Sequence, residues 1–160
     1  MRIIVMSDTH RDFFSIQELV KKHQRADLFL HLGDGARELA EIQGLYPDFS
    51  FLGVRGNCDF GTDAPLASCF CCGDAKIFYT HGHMYNVKYG LEDLLHAGKE
   101  MEANVVLFGH THIPLVDYRD GIHLMNPGSL GMPRKNNPSY GILDVTEQGI
   151  VCYTQRLQIC

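Results

Sequence analysis

Arg2-Ile3-Ile4-Val5-Met6-Ser7-Asp8-Thr9-His10 opens the chain with a short apolar, β-branched run that stops abruptly on a polar, acidic turn. A run of this length and composition reads as a buried strand over Arg2 to Ser7. The next segment changes period: Phe13, Ile16, Leu19 and Val20 recur at helical spacing, so Phe13 to His23 is expected to be a helix with Asp12 as its N-cap. Asp27 to Leu32 then reads as a second strand ending at Gly33-Asp34. Ala36 to Gln43 reads as a helix stopped by Gly44, and Phe49 to Val54 as a third strand ending at Gly56-Asn57. Strand, helix, strand, helix, strand with short connections is the signature of a parallel sheet.

Beyond residue 60 the pattern shifts. Cys69 to Cys72 and Lys76 to Tyr79 flank Gly73-Asp74 as a hairpin, a helix is expected over Lys88 to Met101, and Val105 to Phe108 is an apolar strand ending at Gly109-His110. Leu115 to Tyr118 with Ile122 to Met125, and Tyr140 to Val145 with Ile150 to Thr154, read as antiparallel pairs. The expectation is two sheets stacked face to face with helices outside. The one linker-like stretch is the polar loop around Pro133 to Pro138.

With 160 residues the chain has room for one domain, 1–160, and no second. Its 45% hydrophobic and 21% charged residues fit an ordinary globular protein. No apolar run approaches the roughly 20 residues that span a bilayer, and the first strand meets an acidic motif too soon for a signal peptide, so no membrane association and a cytoplasmic location are expected. A net charge of −5 argues against a general nucleic-acid surface, leaving a small phosphate ester as the expected partner and self-association into a homo-oligomer undecided. The six cysteines are expected as reduced thiols; Cys69-Phe70-Cys71-Cys72 holds one C-x-x-C spacing, but Cys152 and Cys160 supply no second pair for a closed zinc site.

Asp8, Asp34, Asn57, His81 and His110 each follow an apolar strand at once or within two residues, and His10 and His112 lie two residues beyond Asp8 and His110. In open α/β sheets the carboxyl ends of strands form the ligand crevice, so these donors converge from distant positions. Carboxylate, imidazole and amide oxygen together suit borderline divalent metals. Asp34 is the natural bridge between two cations roughly 4 Å apart, and a water shared between them loses its proton near neutral pH to become the nucleophile.

The blocks Arg55-Gly56-Asn57-Cys58-Asp59, His81-Gly82-His83, Gly109-His110-Thr111-His112 and Asn126-Pro127-Gly128-Ser129 resemble those of the calcineurin-like metallophosphoesterases, within them the small YfcE-type phosphodiesterases. The resemblance covers essentially the whole chain. It implies a four-layer α/β/β/α sandwich and two divalent metal ions, Mn²⁺ first, with Fe²⁺, Zn²⁺ or Ni²⁺ as alternatives. It further implies that Asp8, His10, Asp34 and His112 hold one ion and Asp34, Asn57, His81 and His110 the other, with Asp34, Asn57 and His81 at the catalytic centre. The implied activity is phosphodiester hydrolysis by a two-metal-activated hydroxide. A phosphomonoesterase or nucleotidase is the alternative. A binding scaffold like the retromer subunit of this fold is a more distant one, because that subunit differs at positions where this chain keeps Asp34 and Asn57.

Most of the wider superfamily carries a His that protonates the leaving group where this chain has Cys58. Cys58 is read as a buried packing residue, with an acid role for its thiol as the alternative, and Asp59 as structural. His83, Arg55 and Arg11 flank the motifs and either reach phosphate or serve structure. Thr111 and Ser129 are expected to bond backbone within their own turns. His23, His31, His96 and His123 receive no function.

Overall fold

Strand runs that are apolar at successive positions need cover on both faces, because side chains alternate between the two. The computed structural model, which describes residues 1–134 and 137–158, provides that cover with two five-stranded sheets. In chain order the elements are β1 (Arg2–Met6), α1 (Phe13–Lys22), β2 (Leu28–His31), α2 (Ala36–Leu45), β3 (Phe51–Gly53), β4 (Ala67–Cys72) and β5 (Ala75–Thr80). They continue with α3 (Glu92–Glu100), β6 (Val105–Phe108), β7 (Leu115–Arg119), β8 (Ile122–Asn126), β9 (Ser139–Thr146) and β10 (Gly149–Arg156).

The first sheet runs β10-β9-β1-β2-β3 and the second β4-β5-β6-β8-β7. Alternation along each strand assigns the layers. Ile3 and Val5 of β1, Leu28 and Leu30 of β2, Leu143 and Val145 of β9, Ile77 and Tyr79 of β5, and Val105 and Leu107 of β6 meet between the sheets. The intervening Ile4, Met6, Phe29 and Ile142 face α1 and α2 instead, packing on Ile16, Leu19, Val20 and Ile42. On the far side Phe78, Val106, Phe108 and Leu124 pack against Leu94 of α3. Three apolar cores in series make the expected α/β/β/α sandwich.

The parallel β1-β2-β3 set forms as expected. The three expected antiparallel hairpins, β4–β5, β7–β8 and β9–β10, also form, and what the pattern did not give is how they join. β6 lies parallel to both β5 and β8, and only the edge strands β4 and β7 are antiparallel to their neighbours. The last hairpin crosses over to the first sheet, where β9 pairs antiparallel with β1. Hydrophobic pattern gives which residues of a strand are buried, not which strand lies beside it.

Two helix boundaries are corrected. α2 runs through Gly44 to Leu45, since Gly44 faces open space and imposes no stop. α3 starts at Glu92, not Lys88: a 3₁₀ turn at His83–Tyr85 is followed by Asn86 in the left-handed region and by Val87, which is buried against the outer core. α1 begins as read, with the Asp12 carboxylate accepting from Ser15 N at 3.0 Å and Ser15 Oγ at 2.6 Å.

Cys58, Cys69, Cys71, Cys72 and Cys152 are all free thiols. Cys69 and Cys71 point outward from β4, while Cys72 and Cys152 pack against the core between the sheets. Cys160 and part of the loop around Pro133 to Pro138 lie outside the described residues.

Candidate metal centre

The carboxyl ends of β1, β2, β5 and β6, with the loop after β3, deliver the seven candidate ligands to one place. Asp8 is fully buried. Its Oδ2 accepts from Ser7 Oγ at 2.6 Å and from His110 N at 3.1 Å. Its Oδ1 faces His112 Nε2 at 3.1 Å, His10 Nε2 at 3.7 Å and His81 Nε2 at 4.0 Å, and has no hydrogen-bond partner among the described residues. A buried carboxylate oxygen without a donor is costly unless a cation satisfies it.

Asp34 lies between the two groups of imidazoles. Its Oδ2 is 3.4 Å from His81 Nε2 and 3.8 Å from His10 Nε2, while Oδ1 accepts the Cys58 amide at 2.7 Å. On one side His10 Nε2 and His112 Nε2 approach to 3.2 Å; on the other His81 Nε2 is 3.1 Å from both Asn57 Oδ1 and His110 Nδ1. Two backbone carbonyls orient the rings. Leu32 O accepts from His81 Nδ1 and Met132 O from His112 Nδ1, each at 2.7 Å, which turns both Nε2 atoms inward as electron-pair donors.

The electrostatics point the same way. Burial pushes the Asp8 carboxyl up, but His112, His81 and Ser7 outweigh it and hold it below the usual range. Burial likewise pushes the Asp34 carboxyl up, but His81 and the Cys58 amide overcome it and hold Asp34 far below the usual carboxylate range. The Asp8 carboxylate raises His112, and the two carboxylates raise His81 against the pull of its burial. His110 is driven down to about 4 by burial and then by His81 and Lys88. Two ionised carboxylates that draw positive charge onto neighbouring rings fit a divalent cation set among them.

Backbone strain is concentrated here. Asp8, His10, Asp34, His110 and His112 all have positive φ, between 45° and 67°, and Arg11 reaches 75°. Such conformations cost of order 1–3 kcal/mol each and persist where surroundings over-determine them. Asp8 N donates to Gly33 O and His10 N to Asp34 O, both at 3.0 Å, which ties the first two motifs together. Asn126 Nδ2 donates to Gly109 O at 2.8 Å, fixing the last motif.

Sequence reasoning missed several supports. Glu38, on the buried side of α2, accepts from Thr9 Oγ1 at 3.3 Å and from the Arg11 amide. A carboxylate within an inward-facing helical stripe was the available signal. Ser129 Oγ accepts from Met132 N at 2.8 Å within its own turn, as expected, and also donates across the fold to Asp8 O at 2.7 Å, while Thr111 Oγ1 bonds Ile113 O locally. Asp59 is structural as read. Its carboxylate accepts from Asp34, Gly35, Ala36 and Gly56 N.

Cys58 corrects an expectation: it is exposed, not a packing residue, because its loop turns outward after Gly56. Its Sγ lies within 4.8 Å of ligand atoms of His10 and Asp34, and burial of the sulfur, then Asp34, raises the thiol to about 11. His83 stands beside the centre, its ring 5.3 Å from that of His81. Its Nδ1 and Arg55 Nε are buried without partners among the described residues. His31 is fully buried under the Asp8 loop, on Thr9 Oγ1 and Gly33 N, and burial lowers it to about 4. His23 bonds Tyr140, His96 pairs with Glu100 on the surface, and His123 lies against Tyr118, all away from the centre.

Gly56 is required by close approach. A Cβ there would lie 2.6 Å from Asp34 N and closer still to its carboxylate. Gly56→Ala is expected to displace Asp34 and weaken metal retention by about 10- to 100-fold, as for lost ligand support. Metal content after dialysis against a graded chelator measures it, and unchanged retention would count against the geometry.

A family model described as the calcineurin-like phosphoesterase superfamily domain matches residues 1–148. The chain is 34% identical over 146 residues to a probable metallophosphoesterase, YsnB, of Bacillus subtilis, a match covering 89% of this chain and 83% of that one. It is 35% identical over 102 residues to the phosphodiesterase YfcE of Escherichia coli, covering 58% of this chain and 52% of that one. The crystal structure of a predicted phosphoesterase from Streptococcus pneumoniae superposes with a TM-score of 0.79 at 27% identity, over 96% of this chain and 97% of that one. Sheets, strand-end motifs and sequence thus agree, and the chain belongs to the calcineurin-like phosphoesterase superfamily, whose members use divalent metals.

Proposed function

We propose that the chain is a two-metal phosphodiesterase. Asp8, His10, Asp34 and His112 would hold one cation and Asp34, Asn57, His81 and His110 the other, with Mn²⁺ the first choice for this mixed oxygen and nitrogen set. The observation that carries the reading is the position of Asp34 between His10 and His81, at 3.8 and 3.4 Å, beside the unpartnered Asp8 Oδ1. When bound, two such cations supply charge neutralisation at phosphoryl oxygens and acidify water at neutral pH. The protein's own part is placement. The Leu32 and Met132 carbonyls aim His81 and His112, Ser7 and the His110 amide hold Asp8, and the Cys58 amide holds Asp34.

Cys58 gives the reading its preference among esters. A thiol raised to about 11 stays protonated through the neutral range and is poorly matched to donate to a departing alkoxide. The site therefore favours diesters with good leaving groups. Cys58→Ser is expected to leave the pH–rate profile between about pH 6 and 9 without a lost or gained inflection. Disappearance of an inflection in the variant would assign the thiol an acid role.

The reading is tested by stripping the protein of metal, reconstituting it with Mn²⁺, Fe²⁺, Zn²⁺ or Ni²⁺, and assaying monoesters, linear diesters and cyclic nucleotides on one preparation. Metal-dependent turnover of activated linear diesters above monoesters is the expected result. Turnover of monoesters alone would replace diesterase with monoesterase, and full activity without metal would end the mechanism. We place the protein in the cytoplasm on its free thiols; no helix among the described residues is long and apolar enough to cross a membrane.

A further inference from the structure

Beside the metal centre a cleft of about 840 Å³ opens between α2 and the loop that carries Cys58. His10 and Asp34 are among its lining residues, so the cleft adjoins the place where a phosphate at the metals would carry its substituent. Phe60 lines the cleft with 90% of its surface exposed, a large apolar ring unsupported by the core. Arg11 and Arg37 line it as well, and beside them the surface dips into a smaller recess of about 190 Å³ whose other walls are Phe13, Glu38 and Glu41.

The arginines are held differently. Arg11 follows the ligand His10 in the strained loop, its φ of 75° fixed by the bond from its amide to the buried Glu38 carboxylate. Its guanidinium makes no ion pair among the described residues, although the chain carries a net charge of −5. Arg37 pairs with Glu41 at 2.9 Å on the surface of α2, an exchangeable contact with 83% of the arginine side chain exposed. Two guanidinium groups flanking a recess suit a tetrahedral anion, which each can hold in bidentate fashion, with Glu38 engaged by Thr9 Oγ1 and the Arg11 amide and Glu41 displaced from Arg37 by the incoming anion. An exposed ring at the cleft wall suits a planar base, since base–aromatic stacking tolerates any base. Asp63, exposed on the same wall, suits a hydroxyl or amine donor.

We infer that this cleft binds the nucleoside arm of the substrate, with Phe60 stacking on the base and Arg11 and Arg37 holding a second phosphate beyond the one at the metals. The preferred substrate is then a nucleotide diester carrying an additional phosphate. The inference rests on the phosphodiesterase reading for what happens to the scissile bond. It does not rest on it for binding.

Two measurements separate these. The first is calorimetric titration of the manganese-loaded protein with adenosine 5′-(α,β-methylene)diphosphate, whose bridge resists hydrolysis. Arg11→Gln and Phe60→Ala are each expected to weaken binding about tenfold or more, from one lost charge-assisted contact or one lost stack. Both side chains are solvent-exposed, so the fold is retained. Absence of binding to the unmodified protein, or changes under about twofold in both variants, would overturn the inference.

The second compares kcat/KM on the p-nitrophenyl ester of thymidine 5′-phosphate with and without a 3′-phosphate. The unmodified protein is expected to favour the 3′-phosphorylated ester about tenfold, and Arg11→Gln or Arg37→Gln to bring that ratio close to one. Equal ratios in all three proteins would also overturn it. If neither ester is hydrolysed with any metal while calorimetry gives the expected losses, the phosphodiesterase reading falls and the binding inference stands.

Discussion

Asp34→Asn is expected to remove bound metal and phosphodiester hydrolysis together while leaving the chain folded. Asparagine keeps the shape of the side chain and one oxygen, so the amide of Cys58, 2.7 Å from Oδ1, retains an acceptor. What it loses is the negative charge facing His81 and His10 at 3.4 and 3.8 Å, and with it a carboxylate set between both groups of donors. An amide has a single weak donor oxygen and cannot bridge two cations, so the loss in rate is expected to exceed about 10³-fold. Metal analysis and turnover of an activated diester on the same sample measure it, with circular dichroism as the check on folding. A folded variant that binds metal and turns over normally would remove Asp34 from the centre.

The variant also carries a pH signature in the metal-free protein. Asp34 is held far below the usual carboxylate range, so its ionised form contributes stability above the unfolded pKa, lost as pH falls through the folded value. Without that charge His81 loses one of the two carboxylates that raise it. The acid side of the stability profile should therefore be flatter in Asp34→Asn than in the unmodified chain.

Most of the layer structure was legible because the alternation along each strand is strict. Ile3 and Val5 belong to one core and Ile4 and Met6 to another, which the unbroken apolar run Ile3 to Met6 already requires. The convergence of the candidate ligands was legible for a related reason: side chains just past a buried strand are directed to the crevice at its end. Strand neighbours were not legible. β9 is buried along most of its length, as an inner strand of either sheet would be, and nothing in its apolar run names β1 as the neighbour it pairs with, β10 following it at the edge. Nor does composition reveal the left-handed backbone of Asp8, His10, Asp34, His110 and His112, since strain of this kind is imposed by tertiary bonds such as Asp8 N to Gly33 O. Cys58 was misplaced because a thiol beside an apolar strand is most often buried, whereas this loop turns outward to line the cleft.

Asp59→Ala is expected to cost more stability than any other single change around the centre. The carboxylate gathers four backbone donors from two motifs. Oδ2 accepts from Asp34 N at 2.7 Å and Gly56 N at 2.8 Å, and Oδ1 from Gly35 N and Ala36 N, both at 2.9 Å. α2 has no side-chain cap of its own, so Asp59 acts as its cap from a distant loop and places a negative charge at the positive end of the helix. Truncation leaves four partly buried N–H groups without an acceptor. With hydrogen bonds to charged groups worth about 1.5–3 kcal/mol each and far from additive, a loss of about 3–5 kcal/mol follows. That corresponds to a fall in melting temperature of roughly 10 °C for a chain of this size. Asp59→Asn should fall between, because its NH₂ group faces two donors that the second oxygen had accepted. The same bonds hold Asp34 and Gly56 in register, so metal affinity should drop by about 10- to 100-fold under conditions where the variant is still folded. A melting temperature for Asp59→Ala within about 2 °C of the unmodified chain would mean that the two loops are held by something other than this carboxylate.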